Sequence, residues 1–193
     1  MKPLRSLWLL MLMPLLGGCA AVVVGGVAAG ALAFHDRRTV SAVVDDQKLE
    51  IEASRKLDAN PRMAGDNHIR VVSFNGVMLL AGEVPNPEQR TVAESLVKPI
   101  AGVRRVVNDL AVTEPSSLSR RLHDSWLTTE AKSQLLGIDL DGFDPTRVKV
   151  VTVRGNMYLM GLVTQAEANA VVERLRKMRG VKRVVKVFEI QNA

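Results

Sequence analysis

The stretch that decides the fold is residues 75–84, NGVMLLAGEV, whose pattern is repeated by residues 155–163, GNMYLMGLV. Asn-Gly is the strongest short signal for a β-hairpin, because both residues tolerate the positive φ angles of a type I′ turn. The segments on either side of Asn75 and Gly76 are rich in β-branched and apolar residues, which predicts two antiparallel strands. The second copy therefore predicts a second hairpin.

The similarity between the two copies extends over most of the chain. Matching residues recur at offsets of 78 and 79, since 124 − 46 = 78 and 155 − 76 = 79. They are Asp46 with Asp124, Gly76 with Gly155, Gly82 with Gly161, and Gly102 with Gly180. The periodicity predicts a helix before each hairpin, capped by Asp46 in the first copy, and a helix and a strand after it. The sequence thus predicts an α+β fold of two tandem αββαβ units, each a three-stranded mixed sheet with two helices on one face.

The start of the chain, MKPLRSLWLLMLMPLLGGC, indicates export. Lys2 and Arg5 precede an apolar run of signal-peptide length, and two glycines precede Cys19, the single cysteine. The Leu-Gly-Gly-Cys segment resembles the bacterial lipobox, so Cys19 is the predicted lipidation site. The alternative is a transmembrane anchor, because apolar residues continue to Phe34. Ala20 is not the aspartate that retains such lipoproteins in the inner membrane, so we expect an outer-membrane protein, lipid-anchored and facing the periplasm.

These signals divide the chain into five segments. They are a signal peptide at residues 1–18, a tether at 19–44, a first domain at 45–114, a linker at 115–123 and a second domain at 124–193. The end of the tether and the linker are assigned on their polar composition. Each domain is then about 70 residues long, which is near the lower limit for independent stability.

Both repeats resemble BON domains in the hairpin glycine, the AG or MG that ends the second strand, and the GVRRVV or GVKRVV before the last strand. Together with the lipobox and the segments DRRTVSAVVDD and DSWLTTEAKSQLL, they make the whole chain similar to dual-BON-domain outer-membrane lipoproteins. The resemblance implies no enzymatic activity, attachment to phospholipid membranes and a contribution to outer-membrane integrity.

The sequence gives little indication of a catalytic or metal-binding site. The histidines His35, His68 and His123 have no set of partners beside them in the sequence. Residues 139–144, DLDGFD, depart from a calcium loop, because the glycine comes too early and no glutamate follows at the required distance. We therefore expect no catalytic residue, no metal site and no cofactor.

The first helix of the second repeat carries the candidate binding surface. A stripe that begins at Leu127 and recurs every four residues predicts its buried side, which leaves Trp126 and Leu136 facing outward. Their counterparts in the first repeat are the polar residues Lys48 and Asp58. The predicted phospholipid-binding residues are Trp126, Leu127, Thr129, Lys132, Ser133 and Leu136. An outward indole with leucine and lysine beside it suits a membrane interface, while packing of Trp126 against the other domain or the linker is the alternative.

The net charge of the two halves also distinguishes the second domain from the first. Residues 45–115 contain 9 Lys and Arg against 11 Asp and Glu, a net charge of −2, whereas residues 116–193 contain 13 against 8, a net charge of +5. The predicted basic lipid-facing residues are Arg120, Arg121, Arg176, Lys177 and Arg179. A merely solvated basic face is the alternative.

The sequence therefore predicts a non-enzymatic lipoprotein whose second domain binds anionic phospholipid, such as phosphatidylglycerol or cardiolipin. Nucleic acid is not an expected partner, because the chain is exported and no platform of aromatic residues for base stacking is present. A protein-interaction adaptor for the outer-membrane assembly machinery, with the Trp126 face docked on a protein, is the alternative function.

Overall fold

The computed structural model describes residues 39–191, so Cys19 and the predicted signal peptide lie outside the described residues. Within the described part no helix is both long and apolar enough to cross a membrane. The elements follow the order helix, strand, strand, helix, strand, twice over. The prediction of an α+β fold with two tandem αββαβ units is confirmed.

The first domain contains helix α1 (Val40–Asp58), strands β1 (His68–Phe74) and β2 (Val77–Val84), helix α2 (Pro87–Val97) and strand β3 (Arg105–Val112). The second domain contains helix α3 (Leu118–Leu135), strands β4 (Val148–Val153) and β5 (Asn156–Val163), helix α4 (Gln165–Leu175) and strand β6 (Arg183–Ile190). A short 3₁₀ helix precedes each hairpin, at Pro61–Met63 and Pro145–Arg147. In each sheet the central strand, β2 or β5, pairs antiparallel with the strand before it and parallel with the strand that ends the domain.

Both hairpin turns have the predicted conformation. The register of β1 with β2 leaves only Asn75 and Gly76 between the strands, with φ angles of 50° and 73°. Arg154 and Gly155 take the same conformation in the second domain, with φ angles of 57° and 77°. A left-handed conformation is uncommon for arginine, so the second turn needs support from its surroundings.

The first helix of each domain begins earlier than predicted. Thr39 caps α1 and Ser117 caps α3, and each side-chain oxygen accepts a backbone N–H from the first turn. Asp46 is therefore not a helix cap, and that prediction was wrong. The chain is already helical from Val40 and Leu118, in segments predicted as tether and linker, because threonine and serine upstream of the aspartates are also favoured caps.

The two aspartates instead hold the hairpin turns. The buried carboxylate of Asp46 accepts hydrogen bonds from both backbone N–H groups of its turn, at 2.7 and 2.9 Å, and from the hydroxyl of Ser73 at 2.7 Å. Asp124 accepts the corresponding two backbone N–H groups at 2.7 and 2.8 Å. A carboxylate that accepts several hydrogen bonds can be buried without a large penalty, so each aspartate ties its helix to its hairpin.

Each domain has its own apolar core between the helices and the sheet. In the first domain it includes Leu49, Ala53, Leu57, Met78, Leu80, Val92 and Val97. In the second domain it includes Ala131, Leu135, Met157, Leu159, Val171 and Leu175. Alternation along the strands explains the pattern, because every second side chain of β2 and β5 points toward the helices.

A third cluster joins the two sheets through the faces that the helices leave uncovered. The first domain contributes Val72, Phe74, Val77, Leu79 and Ala81, and the second contributes Val151, Val153, Tyr158, Met160 and Val187. The described chain is therefore a stack of four layers, with two sheets inside and a pair of helices on each outer surface. The buried members described for all three clusters lie within residues 49–187, so a chain that begins at Thr39 contains every one of them.

Ion pairs connect the domains around this apolar interface. Lys149 bonds Glu50 at 2.8 Å, Arg104 bonds Glu189 at 2.9 Å, Arg154 lies 3.6 Å from Glu83, and Arg183 contacts Asp109. Three of these four pairs set an acidic residue of the first domain against a basic residue of the second. Part of the predicted charge difference between the domains therefore serves their contact with each other.

Tyr158 is a polar group at the interface between the sheets. Its side chain is 1% exposed, and its hydroxyl donates a hydrogen bond to Asp109 at 2.7 Å. Burial raises the pKa of the Tyr158 hydroxyl well above its usual range, and the bond to Asp109 raises it further. The hydroxyl therefore stays protonated and keeps its donor role at every physiological pH.

Candidate functional site

The outward face of α3 carries exposed apolar side chains along its whole length. Residues on this face recur every three or four positions, which is the spacing of one side of a helix. We call them the outer stripe: Leu118, Leu122, Trp126, Thr129, Ser133 and Leu136. The four apolar members are 65%, 61%, 54% and 75% exposed, in that order. Trp126 and Leu136 thus face solvent as expected, and Leu118 and Leu122 extend the surface by two turns.

The polar members of the outer stripe direct their hydroxyl groups back to their own helix. Thr129 donates to the carbonyl oxygen of Ser125 at 3.2 Å, and Ser133 donates to that of Thr129 at 3.3 Å. These bonds reduce the cost of removing the hydroxyls from water. The outer stripe can therefore enter a less polar environment without leaving these donors unsatisfied.

Leu127 was wrongly included among the lipid-contacting residues. It is completely buried, and its side chain packs beneath Gly180, where an added Cβ would lie 3.3 Å from Leu127 Cδ2. One step along a helix turns the side chain by about 100°, so the neighbour of an outward tryptophan points toward the core. Leu127 can contribute to the site only by fixing the position of α3.

Four of the six predicted contact residues line one groove, with a volume of about 550 Å³. They are Thr129, Lys132, Ser133 and Leu136. The opposite side of the groove is formed by Pro145, Thr146 and Lys149 of the second domain and by Phe74 of the first. Lys132 is exposed, whereas Lys149 already pairs with Glu50, so Lys132 is the cation of this groove that can meet an external anion.

Trp126 is about half exposed and is partly covered by a neighbour on its own helix. Its indole stacks on His123 of the same helix, with ring centroids 5.6 Å apart and an angle of 24° between the planes. His123 belongs to the segment predicted as the linker, so this contact agrees in part with the alternative that Trp126 packs against the linker. The domains meet through their sheets, and Trp126 is not among the described residues of that cluster. The imidazole holds one face of the indole while the rest of the ring stays accessible.

The five predicted basic residues fall into two groups. Arg120 and Arg121 lie in the first turn of α3 and are exposed, although they were assigned to the linker. Arg176 and Lys177 follow α4 and share the carboxylate of Glu173, at 2.7 and 4.0 Å. The hydrogen bond from Arg176 lowers the pKa of Glu173, and the same bond raises the pKa of Arg176.

Arg179 is also exposed, and it precedes Gly180 in the turn that packs beside α3. The structure therefore brings Arg120, Arg121 and Arg179 close to the N-terminal half of α3. Arg176 and Lys177 carry less net charge than the sequence suggested, because Glu173 offsets part of it.

The described residues contain no group of three or more His, Cys, Asp and Glu side chains that could hold a metal ion. The most buried carboxylate, Glu83, is fully enclosed and contacts the hydroxyl of Ser116, His68 at 3.2 Å and Arg154 at 3.6 Å. These contacts join strand β2 to the segment between the domains and to the second hairpin. These contacts indicate a structural role for Glu83 in holding the two domains together.

A family model for the BON domain matches residues 45–114 and again residues 123–192. The chain belongs to the BON domain family. This BON protein is 37% identical over 191 residues to the outer membrane lipoprotein DolP of Haemophilus influenzae, covering 98% of this chain and 97% of the relative. The predicted similarity to dual-BON-domain outer-membrane lipoproteins is confirmed.

A second relative is the 21 kDa hemolysin of Actinobacillus pleuropneumoniae, 34% identical over 79% of this chain and 78% of the relative. Among solved structures, CdsD of the type III secretion system of Chlamydia trachomatis covers 76% of this BON protein and 93% of that chain. Its sequence identity to this chain is 15% and the TM-score is 0.31, so no conclusion about fold or function is based on this similarity.

Leu118 and Leu122 are the candidate residues that the sequence reasoning missed. Both lie at intervals of four before Trp126, and Ser117 precedes them as a potential cap. This spacing was visible in the sequence, but the assumption that the helix begins at Asp124 placed both leucines in a linker.

Proposed function

We propose that this BON protein is a non-enzymatic outer-membrane lipoprotein whose second domain binds anionic phospholipid, phosphatidylglycerol or cardiolipin, and so supports outer-membrane integrity. The observation that carries the proposal is the continuous outer stripe of α3. An exposed apolar face that includes an indole and is flanked by cations suits the boundary between lipid headgroups and acyl chains.

Hydrophobic contact and charge contribute in different ways. A large apolar side chain contributes about 1.5 to 3 kcal/mol when fully buried and less when it inserts partly. A cation near an anionic surface contributes about 1 kcal/mol, and salt screens this contribution within about 8 Å. The apolar members of the outer stripe should therefore supply binding that persists in salt, while Lys132 and the arginines favour anionic lipid.

The proposed location rests on the start of the sequence and on the relative. Cys19 follows a lipobox-like segment, and the DolP relative is named an outer membrane lipoprotein. We propose that Cys19 is lipid-modified and that both domains face the periplasm. A lipid anchor would also keep α3 close to the bilayer, which raises its effective concentration at the surface.

The alternative is an adaptor that docks on outer-membrane assembly proteins through the same face. An exposed apolar stripe with an aromatic residue at its centre also suits a protein interface. The two functions differ in what binds without a partner protein, because only the first predicts binding to pure lipid.

Tryptophan fluorescence tests the proposal directly. The chain contains two tryptophans, Trp8 and Trp126, so a chain that begins at Thr39 reports on Trp126 alone. We expect a blue shift of its emission with phosphatidylglycerol or cardiolipin vesicles, and a much smaller one with phosphatidylcholine vesicles.

Co-sedimentation of the same chain gives the affinity. Trp126→Glu should weaken binding to phosphatidylglycerol vesicles by at least about tenfold, since it replaces an inserted side chain with a charge that anionic lipid repels. The matched control is Lys48→Glu, the same final residue at the equivalent position of α1. Equal losses in the two variants, or binding that ignores lipid charge, would favour the adaptor.

A further inference from the structure

A second concave site, of about 470 Å³, lies on the flank of α3. It is bounded by the first two turns of α3, the β4–β5 turn and the turn that leads into β6. We call it the cationic pocket, and its polar lining includes Ser117, Ser119, Arg120, His123, Arg154 and Lys182. Serine hydroxyls, an imidazole and three cations converge there, so the pocket is rich in hydrogen-bond donors.

The first domain has a concave site of the same volume at the equivalent place, which provides an internal comparison. Its charged lining consists of Asp45, Asp46, Lys48, Glu52 and Arg104. Three carboxylates therefore stand in the first site, whereas Asp124 is the carboxylate that lines the second. The two repeats share the cavity and have opposite charge in it.

The positive charge of the cationic pocket is largely available for a ligand. Within residues 39–191 neither Arg120 nor Lys182 has an ion-pair partner, and both are exposed. The carboxylate of Asp124 is 6% exposed and accepts the two backbone N–H groups of the hairpin turn. Arg154 lies 3.6 Å from Glu83, so it is partly engaged by the first domain.

The pocket adjoins the outer stripe through one pair of stacked rings. His123 lines the pocket and stacks on Trp126 at 5.6 Å. An anion in the pocket would therefore lie one ring away from the indole, and tryptophan side chains favour the headgroup level where lipid phosphates lie. The N-terminus of α3, where backbone N–H groups carry partial positive charge, also faces this end of the site.

We propose that the cationic pocket binds the phosphate group of an anionic phospholipid whose acyl chains contact the outer stripe. This inference rests on the proposed function and adds the part of the lipid that is recognised. Arginine and lysine meet the phosphate charge, while His123 and the serine hydroxyls donate further hydrogen bonds.

The first arm of the test uses vesicles of phosphatidylglycerol and a chain that begins at Thr39. We expect Arg120→Gln with Lys182→Gln to weaken vesicle binding by about tenfold, because two cations close to the phosphate are removed. The control is Arg70→Gln with Lys98→Gln, which removes the same charge from two exposed residues of the first domain. It should change the affinity less than about threefold, since only long-range attraction is lost.

The second arm uses glycerol 3-phosphate, a soluble phosphate ester without acyl chains, and follows amide NMR signals. In the wild-type chain we expect the signals of Gly155 and Gly180, which flank the pocket, to shift at millimolar concentrations. The pocket double variant should lose these shifts, and the control double variant should keep them.

Three results would overturn the inference. Equal losses of vesicle binding in the two double variants would mean that binding depends on the net charge of the protein and not on the pocket. Absence of any shift at Gly155 and Gly180 would remove the phosphate site. Shifts with glycerol phosphate, together with undiminished vesicle binding of the pocket variant, would assign the pocket to a soluble phosphate ester instead of a lipid.

Failure of the proposed function would be distinguishable from failure of this inference. Trp126→Glu tests the outer stripe, and its failure to weaken vesicle binding would count against the proposed function and against the acyl-chain contact of this inference, while the glycerol 3-phosphate arm would still decide whether the pocket binds phosphate. Loss of binding in Trp126→Glu, with normal binding in the pocket variant, would leave membrane binding in place and refute the phosphate pocket.

Discussion

Helices α1 and α3 occupy the same place in their two BON domains, and each buries a Leu-Ala-Leu stripe against its sheet. Their outward faces differ. Lys48 stands in α1 where Trp126 stands in α3, and Asp58 stands where Leu136 stands. The inner faces have the same residues because each must pack against an equivalent sheet. The outer faces are not under this constraint, so their residues can differ.

The difference lies in continuity more than in the number of apolar residues. Val43, Val44 and Ile51 of α1 are also 41% to 49% exposed. Lys48 interrupts them, whereas the outer stripe of α3 contains no charged residue from Leu118 to Leu136. An uncharged face with apolar side chains at both ends can enter a membrane interface as one surface, while a face interrupted by Lys48 would take a charge with it.

The largest expected effect tests whether the two scaffolds are equivalent. Asp46→Ala should lower the free energy of unfolding by about 3 kcal/mol, because it leaves buried backbone donors of the hairpin turn without an acceptor. Asp124→Ala should cost about 1 kcal/mol less, since Thr152, the residue equivalent to Ser73, has no hydrogen-bond partner for its hydroxyl among residues 39–191. Urea denaturation of the chain from Thr39 measures both.

The control for this pair is Asp45→Ala, which removes an exposed carboxylate one position away and should change stability by less than about 0.5 kcal/mol. If Asp46→Ala were as mild as this control, the hydrogen bonds to the hairpin would not hold the scaffold together.

The next effect concerns the part of the outer stripe that the sequence reasoning missed. Leu118→Ser with Leu122→Ser should weaken binding to phosphatidylglycerol vesicles by about fivefold to tenfold, because two partly inserted side chains lose their apolar contact. The same change in α1, Val43→Ser with Val44→Ser, should leave vesicle affinity unchanged. Co-sedimentation measures both affinities. Comparable losses from both pairs would contradict the prediction that α3, and not α1, contacts the membrane.

The smallest effect concerns the interface that joins the domains. Tyr158→Phe should lower the free energy of unfolding by about 1 kcal/mol, because it removes the hydrogen bond to Asp109 and leaves the ring in place. The raised pKa of Tyr158 adds a dependence on pH. Unfolded tyrosine ionises near pH 10, so the contribution of the folded hydroxyl is complete below that pH and is lost as pH rises toward the folded pKa.

The difference in stability between wild type and Tyr158→Phe should therefore shrink above about pH 10. Tyr158 is the single tyrosine of the chain, so absorbance near 295 nm follows its ionisation without interference from another tyrosine. Ionisation at the usual pH of an exposed tyrosine would contradict its burial between the sheets.

Local signals in the sequence were sufficient for much of the fold. Asn75 and Gly76 predicted the first hairpin because a type I′ turn restricts its residues strongly, and the repeat carried the prediction to a turn that contains Arg154. The starts of α1 and α3 were missed because aspartate is a good cap in isolation. The sequence does not reveal that Asp46 is needed as an acceptor across the domain, since this contact spans about 30 residues.

The sequence also contains a signal for the contact between the sheets. Residues 77–81, VMLLA, are apolar without alternation, which is typical of a strand buried on both faces. Trp126 and Leu136 could be placed outward from helical periodicity alone. The cationic pocket could not, because it assembles residues from α3, the second hairpin and the turn before β6, which only the folded chain brings together.

The order of the four layers has a consequence for how the protein would stand on a bilayer. Helices α1 and α2 form one outer surface of the stack, and α3 and α4 form the other, with two apolar sheets fixed between them. If α3 lies on lipid, α1 is held away from it by the thickness of two sheets, themselves about 10 Å apart, and by the helices on either side. The second domain would then hold Lys48 and its neighbours on α1 at a constant distance from the membrane, facing the aqueous space.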